Sequence, residues 1–378
     1  MIKLYSGNIM NSAILYLKND YEAELAGTRV FDKFLIDYTV NEIRRLDIDT
    51  IYLVGNLDID NVIRRNSLEE VFNELKGTEG KCILLSPFYP LIEKEDYERL
   101  LALHNNAAFI DEGENIVPVF AINNSLLSSY DRLSYDGLYL EEEKLKRFSS
   151  PKDVASLQAS LKERINSKWL EKGVVIIDPE RTNIGSDVFI DKNTVIYPET
   201  VIEGRCSIGK NNIIGRACHL SDVVMGDDNR IENSNIKDSI IHNGCQIGPE
   251  AIIEEGSEIM DEATVGSFVK LFNTRLGSRS SVSHLSYIGD GQIGEDVKIG
   301  SGVCTVNYDG RSRHATIIKA HSTIGSNVAI VAPVVVGEYV MVAAGSTIDA
   351  DVKDGDLAIA RIYQQNKKGY GYKYNKED

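Results

Sequence analysis

A histidine and the polar segment that follows it are the residues of this sequence whose types best suit chemistry. His284 lies in the stretch His284-Leu285-Ser286-Tyr287, and Asn307 and Tyr308 lie in the polar, turn-rich residues 305–316. An imidazole, with an ordinary pKa of about 6.5, can take a proton from a nucleophile at neutral pH. An amide and a phenol can orient an acyl carbonyl or an amine. These residues therefore indicate a general base beside an acyl site, although His284 could equally be a corner residue that caps a structural repeat.

An aliphatic residue at every sixth position sets the elements that would position these side chains. The repeat keeps its phase through three stretches: Ile184, Ile190, Ile196, Ile202, Ile208, Ile214 and Leu220; Ile247, Ile253, Ile259, Val265 and Leu271; and Ile318, Ile324, Ile330, Val336, Val342 and Ile348. A period of six fits neither an α-helix nor a free strand, but it is typical of a parallel β-helix with three short faces per coil. At about 18 residues per coil, the region should hold roughly nine or ten coils with the aliphatic side chains in the bore. The alternative, an ordinary β-sandwich, does not explain seven successive residues in phase.

The six-residue repeat is interrupted twice. Residues 221–243 slip in phase, which predicts coils of uneven length, whereas residues 305–316 leave the repeat altogether and predict a loop. A loop that projects from a regular solenoid is where a site is usually built. Because about one coil separates His284 from this segment, we expect His284 to stack near the root of the loop.

The N-terminal part of the chain alternates predicted strands and helices. We expect strands at 12–17, 50–55 and 82–85, helices at 28–46, 67–75 and 97–103, and a strand pair at 107–110 and 116–122. The helix at 28–46 would place Val30, Phe31, Phe34, Leu35, Tyr38 and Ile43 on one apolar face. This order predicts an α/β domain with a mostly parallel sheet.

This α/β domain lacks, at the ends of its predicted strands, the groups that would bind a nucleoside triphosphate. No glycine-rich turn follows the first strand, and an acidic stretch at 18–24 stands in its place. The third strand ends in Ser86-Pro87-Phe88-Tyr89-Pro90, without an acid that could hold Mg²⁺. The sequence therefore indicates a nucleotide-binding architecture without its chemistry.

Composition excludes several classes of protein. The net charge of -16 would repel polyanions, so we expect no nucleic-acid partner. No apolar run reaches the ~18 residues of a membrane helix, and we expect the first residues not to form a signal peptide. The five cysteines and six histidines are scattered without metal-ligand spacing, so we expect free thiols, a cytoplasmic location and no metal site.

A single helix is predicted between the two regions. Ser150 is a suitable cap, Pro151 fits the first turn, and Gly173 ends the helix. We therefore divide the chain into four parts: a degenerate nucleotide-binding α/β domain at 1–147, a helical arm at 148–172, a β-helix domain at 173–355 and a C-terminal tail at 356–378.

Motifs between about 150 and 370 resemble those of one bacterial family, the bifunctional N-acetylglucosamine-1-phosphate uridyltransferase / glucosamine-1-phosphate N-acetyltransferase. The specific signal is HLSYIGD at 284–290 followed by NYDG at 307–310. Further matches are Arg164-Ile165-Asn166, GVVIIDP at 173–179, DKNTVIYPETVIEG at 191–204, GSNVAIVAP at 325–333, and residues 343–346 and 358–361.

The resemblance implies a Rossmann-like, nucleotidyltransferase-type α/β head, a helical arm and a left-handed parallel β-helix of hexapeptide repeats, assembled as a homotrimer with sites between subunits. It implies that His284 takes a proton from the amine of a small-molecule amino sugar and that Tyr287 contacts the sugar phosphate. Asn307 and Tyr308 would contact acetyl-CoA at the acyl site. The coenzyme A groove would be lined by Ser326, Ala344 and Arg361.

The β-helix departs from the family pattern where the family binds the sugar phosphate. A coil that carries an Arg-Pro-Gly ligand is missing, because residues 265–268 run directly to residues 275–277. The family's phosphate-binding Lys falls at Phe272, and its sugar-contacting Asn falls at Lys298, which we take as a substrate contact. Either Lys298 or Arg279 could replace the lost cations.

The head departs from the family further. The signature loop with its catalytic Arg and Lys is missing, and the uracil-reading segment has no counterpart around residues 66–70. The two metal ligands fall at Phe88 and near Ser149. We therefore predict that uridyl transfer is lost and that the head binds no Mg²⁺.

Three functions follow from these observations. We favour an acetyl-CoA-dependent N-acetyltransferase that acts on an amino sugar or its phosphate. The alternative is a non-catalytic trimeric scaffold or regulator in amino-sugar or cell-envelope metabolism, which the lost phosphate ligands favour. A fully bifunctional enzyme is the third and least favoured.

Overall fold

The computed structural model describes residues 10–30 and 32–373. The chain forms two compact units, Met1–Lys162 and Glu163–Asp378. The N-terminal unit is the α/β head, and the C-terminal unit contains the solenoid.

The head is built on a mixed seven-stranded sheet in the order β5-β4-β1-β6-β8-β7-β9. Its strands are β1 (Ser12–Tyr16), β2 (Arg29–Val30), β3 (Lys33–Phe34), β4 (Thr50–Val54), β5 (Ile63–Arg65), β6 (Lys81–Leu85), β7 (Ala107–Ile110), β8 (Ile116–Asn123) and β9 (Asp136–Tyr139), of which β2 and β3 pair separately. Its helices are α1 (Asp20–Ala26), α2 (Leu35–Arg44), α3 (Leu68–Leu75) and α4 (Lys94–Ala102), with a 3₁₀ segment at Asn124–Arg132. Strands β1, β4, β5 and β6 are parallel, whereas β8 is antiparallel to β6 and β7.

The start of the head differs from the expectation drawn from the sequence. The helix predicted at 28–46 begins only at Leu35, and residues 29–34 contain the antiparallel pair β2–β3 instead; Phe31 lies outside the described residues. The acidic stretch after β1 is itself helix α1. Asn19 caps this helix by accepting a hydrogen bond from Glu22 N at 2.9 Å, and acidic residues in a first turn suit the positive end of a helix dipole.

The predicted helical arm begins with the 3₁₀ turn Pro151–Asp153 and continues as α5 (Val154–Glu171). Asp153 accepts hydrogen bonds from the backbone N–H groups of Ser149 and Ser150, both at 2.8 Å. The boundary between the two units falls within α5. Leu161 is fully buried in the head core, and Trp169 packs edge-on against Phe189 of the solenoid with ring centroids 5.9 Å apart.

The C-terminal unit is a left-handed parallel β-helix with three faces, which we name A, B and C in chain order. Face A consists of Val175–Ile176, Val195–Ile196, Ile213–Ile214, Arg230–Ile231, Gln246–Ile247, Thr264–Val265, Ser281–Val282, Lys298–Ile299, Thr323–Ile324, Met341–Val342 and Leu357–Ala358. Face B consists of Asn183–Ile184, Val201–Glu203, Ile252–Glu254, Lys270–Phe272, Tyr287–Gly289, Cys304–Val306, Ala329–Val331 and Thr347–Ile348. Face C consists of Phe189–Ile190, Ser207–Ile208, Glu258–Ile259, Arg275–Leu276, Gly291–Ile293, Thr316–Ile318 and Val334–Val336. Two longer strands, His219–Met225 and Asn235–Ile241, run through both B and C.

The six-residue repeat fills the bore as predicted, since its aliphatic residues are all buried, with Ile348 the most exposed at 5%. The phase slip at 221–243 arises from short coils, because Met225 pairs with Ile241, 16 positions on, whereas Ile184 pairs with Ile202, 18 positions on. Buried hydroxyls hydrogen-bond at the corners. Ser286 Oγ, for example, accepts from Val303 N at 3.1 Å and satisfies a backbone donor that the bore would otherwise leave unpaired.

Two expectations, free thiols and no membrane-spanning helix, can be compared with the fold. All five cysteines are free, and Cys304 is exposed while the other four are buried. In the described part of the chain, no helix combines the length and apolar character that crossing a bilayer requires.

Candidate functional site

His284 lies at the corner between faces A and B, which we name the A–B corner. The ring is exposed, and its Nε2 lies 2.9 Å from Ser301 Oγ, one coil further on. The next residue, Leu285, has a φ of 55° and is 64% exposed, a conformation that is costly for a bulky side chain. Its N–H donates to Ser267 O at 3.0 Å, so the coil before His284 fixes the corner.

The predicted loop is present, but it projects from the corner between faces B and C, which we name the B–C corner. It joins Cys304–Val306 to Thr316–Ile318. The expectation that one coil would bring His284 to the root of this loop is therefore wrong within one chain. The residue that stacks on the loop root is Asp290, whereas His284 stacks on Ser301. One strand, Tyr287–Gly289, separates the two corners, a span of about 10 Å.

The loop root holds a compact polar cluster on face B. Asn307 is 7% exposed; its Nδ2 donates to Asp290 Oδ2 at 2.6 Å, and its Oδ1 accepts from Tyr287 Oη at 3.4 Å. Both side chains cross Gly289, where an added methyl group would lie 2.5 Å from Asn307 Nδ2 and 2.5 Å from Tyr287 Oη. Glycine is therefore required beneath this cluster, and the structure brings Tyr287 and Asn307 together as one site.

Beyond its root, the loop is held by the carboxylate of Asp309. Its Oδ1 accepts from the N–H groups of Arg311 and Ser312 at 2.7 and 2.8 Å, and His314 Nε2 lies 2.8 Å from its Oδ2. These hydrogen bonds, first that from Ser312 N–H and then those from His314 and Arg311 N–H, stabilise the ionised carboxylate. They lower the pKa of the Asp309 carboxyl to about 2. Tyr308, directly before it, is 58% exposed and available to a ligand.

The three residues that are predicted to bind coenzyme A follow His284 along one edge of the solenoid. Ser326 and Ala344 lie at the A–B corner in later coils, and Gly345 N donates to Ser326 O at 2.8 Å. Arg361 is exposed and follows Ala360, whose N–H donates to Ser346 Oγ at 3.1 Å at the same corner. At about 4.8 Å per coil, the edge from His284 to Arg361 is about 19 Å long. The structure therefore aligns these residues, although they are far apart in the sequence.

The two residues that could replace the lost cations lie away from face B. Lys298 is exposed on face A, in register with Ser281 and Thr323. Arg279 lies at the corner between faces C and A, where its guanidinium donates to Asp296 at 2.9 and 2.7 Å and to Glu295 at 3.1 Å. These carboxylates, Asp296 first, raise the pKa of Arg279 and occupy its donors. Tyr287 and Lys298, both predicted substrate contacts, are thus not brought together within one chain.

The sequence reasoning missed three residues of this site: Gly289, Asp290 and Arg313. The first two lie in the HLSYIGD segment, and Arg313 lies in the loop. Arg313 places its guanidinium carbon 4.3 Å from the centroid of the Phe272 ring. Two arginines within three residues of a loop, in a chain of net charge -16, were the available sequence signal.

The head contains a cleft of about 380 Å³ at the carboxyl ends of β1 and β4, lined in part by Asn19, Arg64 and Arg65. Arg64 donates to Asn56 at 2.6 Å, and Arg65 pairs with Glu74 at 3.0 Å. Phe88, where the resemblance would place a metal-binding Asp, is 1% exposed in the head core.

Comparisons with known proteins agree with the solenoid and the motifs. A model of the family described as the GMPPB C-terminal domain matches residues 184–309. The bifunctional protein GlmU of Shouchella clausii is 42% identical over 217 residues, 57% of this chain and 48% of that protein. GlmU of Geobacillus sp. strain WCH70 is 39% identical over 286 residues, 75% of this chain and 60% of that protein. The chain resembles GlmU.

The resemblance to GlmU extends beyond the solenoid, because an alignment of 286 residues is longer than the unit Glu163–Asp378 and must reach into the head. The GlmU-like chain nevertheless spans only about half to three fifths of the length of the curated relatives it matches.

Among solved structures, the UDP-N-acetylglucosamine acyltransferase LpxA of Bacteroides fragilis is 24% identical with a TM-score of 0.24, covering 47% of this chain and 68% of that chain.

Proposed function

We propose that this chain is an acetyl-CoA-dependent N-acetyltransferase that acts on an amino sugar. The observation that carries the proposal is the A–B corner, where His284 lies in line with Ser326, Ala344 and Arg361. Acetyl-CoA is a thioester with a long, thin pantetheine arm, and this arm fits along an edge about 19 Å long. The acceptor would lie beside this edge on face B, against Tyr287 and Asn307, which hydrogen-bond each other.

In the proposed reaction, the amine nitrogen of the sugar attacks the carbonyl carbon of acetyl-CoA. His284 takes a proton from the amine, the C–N bond forms, and the C–S bond breaks. The coenzyme A thiolate leaves and takes up a proton, which His284 can return. Asn307 and Tyr308 orient the acyl group, and Tyr287 orients the sugar.

Assembly as a homotrimer is part of this proposal. Tyr287 is on face B and Lys298 is on face A, so one ligand can contact both residues only where face B of one subunit meets face A of another. Closed rotational symmetry lets every subunit offer both faces in this way.

We further propose that the head does not transfer uridylyl groups and binds no Mg²⁺. Phe88 replaces a carboxylate with a buried ring, and Ser149 donates its hydroxyl to Asp153 at 2.9 Å. Mg²⁺ needs carboxylate or carbonyl oxygens, which these two side chains do not supply. The test is a thermal melt with UTP and Mg²⁺: we expect no change, and a clear rise in Tm would overturn the proposal.

The acetyltransferase is tested by following acetyl-CoA consumption with a panel of free and phosphorylated amino sugars. We expect turnover that falls about 10²- to 10⁴-fold in His284→Ala, since a general base contributes this much. His219→Ala is the matched control, because His219 is also on the solenoid surface but pairs with Glu203 at 3.0 Å, four coils away from His284. No turnover on any acceptor, together with no coenzyme A binding, would instead support the non-catalytic scaffold.

A further inference from the structure

The coil directly before the polar cluster on face B presents two phenylalanines on the solenoid surface. Phe268 lies at the A–B corner, between the strands of faces A and B, and Phe272 lies at the other end of the face-B strand. Lys270 lies between the two rings, in register with Tyr287 of the next coil. We name Phe268, Lys270 and Phe272 the face-B platform, which therefore adjoins the place proposed for the acceptor.

Phe268 is held in a backbone conformation that is costly for a bulky residue. Its φ is 58°, and the residue is 61% exposed. Two and three coils further on, the same corner position is occupied by Gly302 and Asn327, with φ of 70° and 56°. These residue types adopt the left-handed conformation at little cost. Packing therefore does not explain a phenylalanine at this position, whereas a ligand that stacks on its exposed ring would.

The charge between the two rings is already paired. Lys270 Nζ lies 2.8 Å from Glu254 Oε2, and both side chains are partly exposed. At the edge of the platform, the guanidinium carbon of Arg313 lies 4.3 Å from the centroid of the Phe272 ring, so Phe268 is the more exposed of the two rings. A paired ammonium and carboxylate can donate to and accept from hydroxyl groups without attracting a strongly charged ligand.

The face-B platform opens into a cleft of about 480 Å³ that runs along face B away from His284. The cleft is lined in part by Ile252 and Asn235, which lie one and two coils before Lys270 in the same register. Its far end at His219 lies three coils before Lys270, about 14 Å away. Apolar surface for ring faces beside polar groups for hydroxyls is the combination that binds an uncharged sugar.

We propose that the face-B platform binds a second sugar unit, so that the acceptor is an amino sugar joined by a glycosidic bond to a further sugar. This inference rests on the proposed acetyltransferase function, in which the reacting sugar lies against Tyr287 and Asn307. The second ring stacks on Phe268 and hydrogen-bonds the pair of Lys270 and Glu254. A β-1,4 linkage keeps successive rings in line, and one ring is about as long as one coil is high, about 4.8 Å. A disaccharide on this path ends near Lys270 and leaves the far end of the cleft empty.

The test compares glucosamine, glucosamine 1-phosphate and the β-1,4-linked disaccharide of glucosamine as acceptors for the full-length protein. We expect kcat/KM for the disaccharide to exceed that for glucosamine about 10-fold, the scale of one aromatic stacking contact. In Phe268→Gly this ratio should fall to about 1, chiefly through a higher KM for the disaccharide. Glycine suits the φ of 58°, so the variant keeps its fold. Phe268→Tyr keeps the ring and should keep the preference.

Tyr339→Gly is the matched control. Tyr339 is also an exposed aromatic residue with a φ of 55°, but it lies at the corner between faces C and A, where it stacks on His321 with ring centroids 4.7 Å apart. Its loss should leave the ratio of the two kcat/KM values unchanged. The inference is overturned by equal kcat/KM for glucosamine and the disaccharide in the wild type, or by a higher value for glucosamine 1-phosphate than for the disaccharide. An equal fall for all acceptors in Phe268→Gly, or the same change of ratio in Tyr339→Gly, would overturn it as well.

A binding measurement separates failure of this inference from failure of the proposed function. The fully N-acetylated disaccharide cannot react, so calorimetric titration of this compound into the wild-type protein and Phe268→Gly needs no turnover. If no acceptor is acetylated, the enzyme proposal fails, but binding that Phe268→Gly weakens would still support the sugar site. Equal affinity in both proteins, or no binding to either, would overturn it.

Discussion

The change Gly289→Ala tests the polar cluster on face B directly. Gly289 lies in a β-strand and has no left-handed φ, so alanine can adopt its backbone conformation. The added methyl group would lie 2.5 Å from both Asn307 Nδ2 and Tyr287 Oη, whereas carbon and a polar atom normally approach no closer than about 3.4 Å. Both polar side chains must therefore move by about 1 Å.

The size of the effect follows from this displacement. Inserting a methyl group into a well-packed site costs about 1–3 kcal/mol, and the bond from Asn307 to the Asp290 carboxylate, at 2.6 Å, is among the stronger contacts that it would disturb. For a unit of this size, we expect Tm to fall by about 2–12 °C. A misplacement of about 1 Å should lower kcat/KM for the amino sugar by about 100-fold.

The assay is acetyl transfer with the best acceptor of the panel, with Tm measured in parallel. A double-mutant cycle supplies the control: in an Asn307→Ala background, the amide that the methyl group displaces is already missing, so Gly289→Ala should cost much less. Wild-type kcat/KM in Gly289→Ala, or an equal loss in both backgrounds, would refute the assignment of this cluster to the site.

Three further predictions concern the loop and the bore. Asp290→Asn keeps a residue that tolerates the φ of 49° but loses the charge that orients Asn307, so kcat/KM should fall about 10-fold, and Tm should fall less than in Gly289→Ala because no methyl group is inserted. Asp309→Ala should make the loop more sensitive to trypsin at Arg311, measured as the ratio of mutant to wild-type cleavage rates at one pH, because the rate of trypsin itself depends on pH. The pKa of the Asp309 carboxyl is lowered to about 2 from 3.8, so its contribution to holding the loop is present above pH 3.8 and is lost as pH falls through about 2. Ile253→Ala removes a fully buried side chain and should cost about 2–5 kcal/mol in denaturant unfolding, whereas its outward neighbour in Ile252→Ala should cost less than about 1 kcal/mol.

The architecture of the solenoid was predictable because a narrow bore imposes one rule on every coil. Ile202 and Ile324 are in different coils but meet the same requirement, an aliphatic side chain that fits the interior. Loss of that pattern at 305–316 then marked the loop correctly. Left-handedness came from the resemblance and not from the repeat, because a period of six does not specify the hand of the coil.

The corner on which a residue lies was harder to predict than its coil. Coils here contain between 16 and 25 residues, as shown by Met225 pairing with Ile241 and Thr305 with Ile330. Counting one coil forward from His284 therefore reached the coil of the loop but the wrong corner. Strand Tyr287–Gly289 occupies the whole of face B between the two corners. Counting from the end of this strand would have placed Asp290, and not His284, beneath Asn307.

The start of the head shows the opposite case, in which the local signals are present but other features of the sequence outweigh them. Asn19, with two acids in the following turn, is a good helix start, yet these acids predicted only that a glycine-rich, phosphate-binding turn is missing. Conversely, Val30 and Tyr38 suggested one continuous apolar helix face, but both are buried through separate elements, a strand and a helix.

The proposal that sites are shared between subunits makes a quantitative prediction for mixed assemblies. His284 and Asn307 border the same face B, whereas Lys298 is on face A and would serve the neighbouring subunit's site. If His284→Ala and Lys298→Glu chains are co-expressed in equal amounts, three quarters of randomly assembled trimers are mixed, and each contains one intact site of three, so about a quarter of wild-type activity should return. Co-expression of His284→Ala with Asn307→Ala should restore nothing, because each damaged site would need both residues from one chain. Recovery in the second mixture and not in the first would show that the acceptor is bound across a different pair of faces, and sedimentation of each mixture would establish the number of subunits independently.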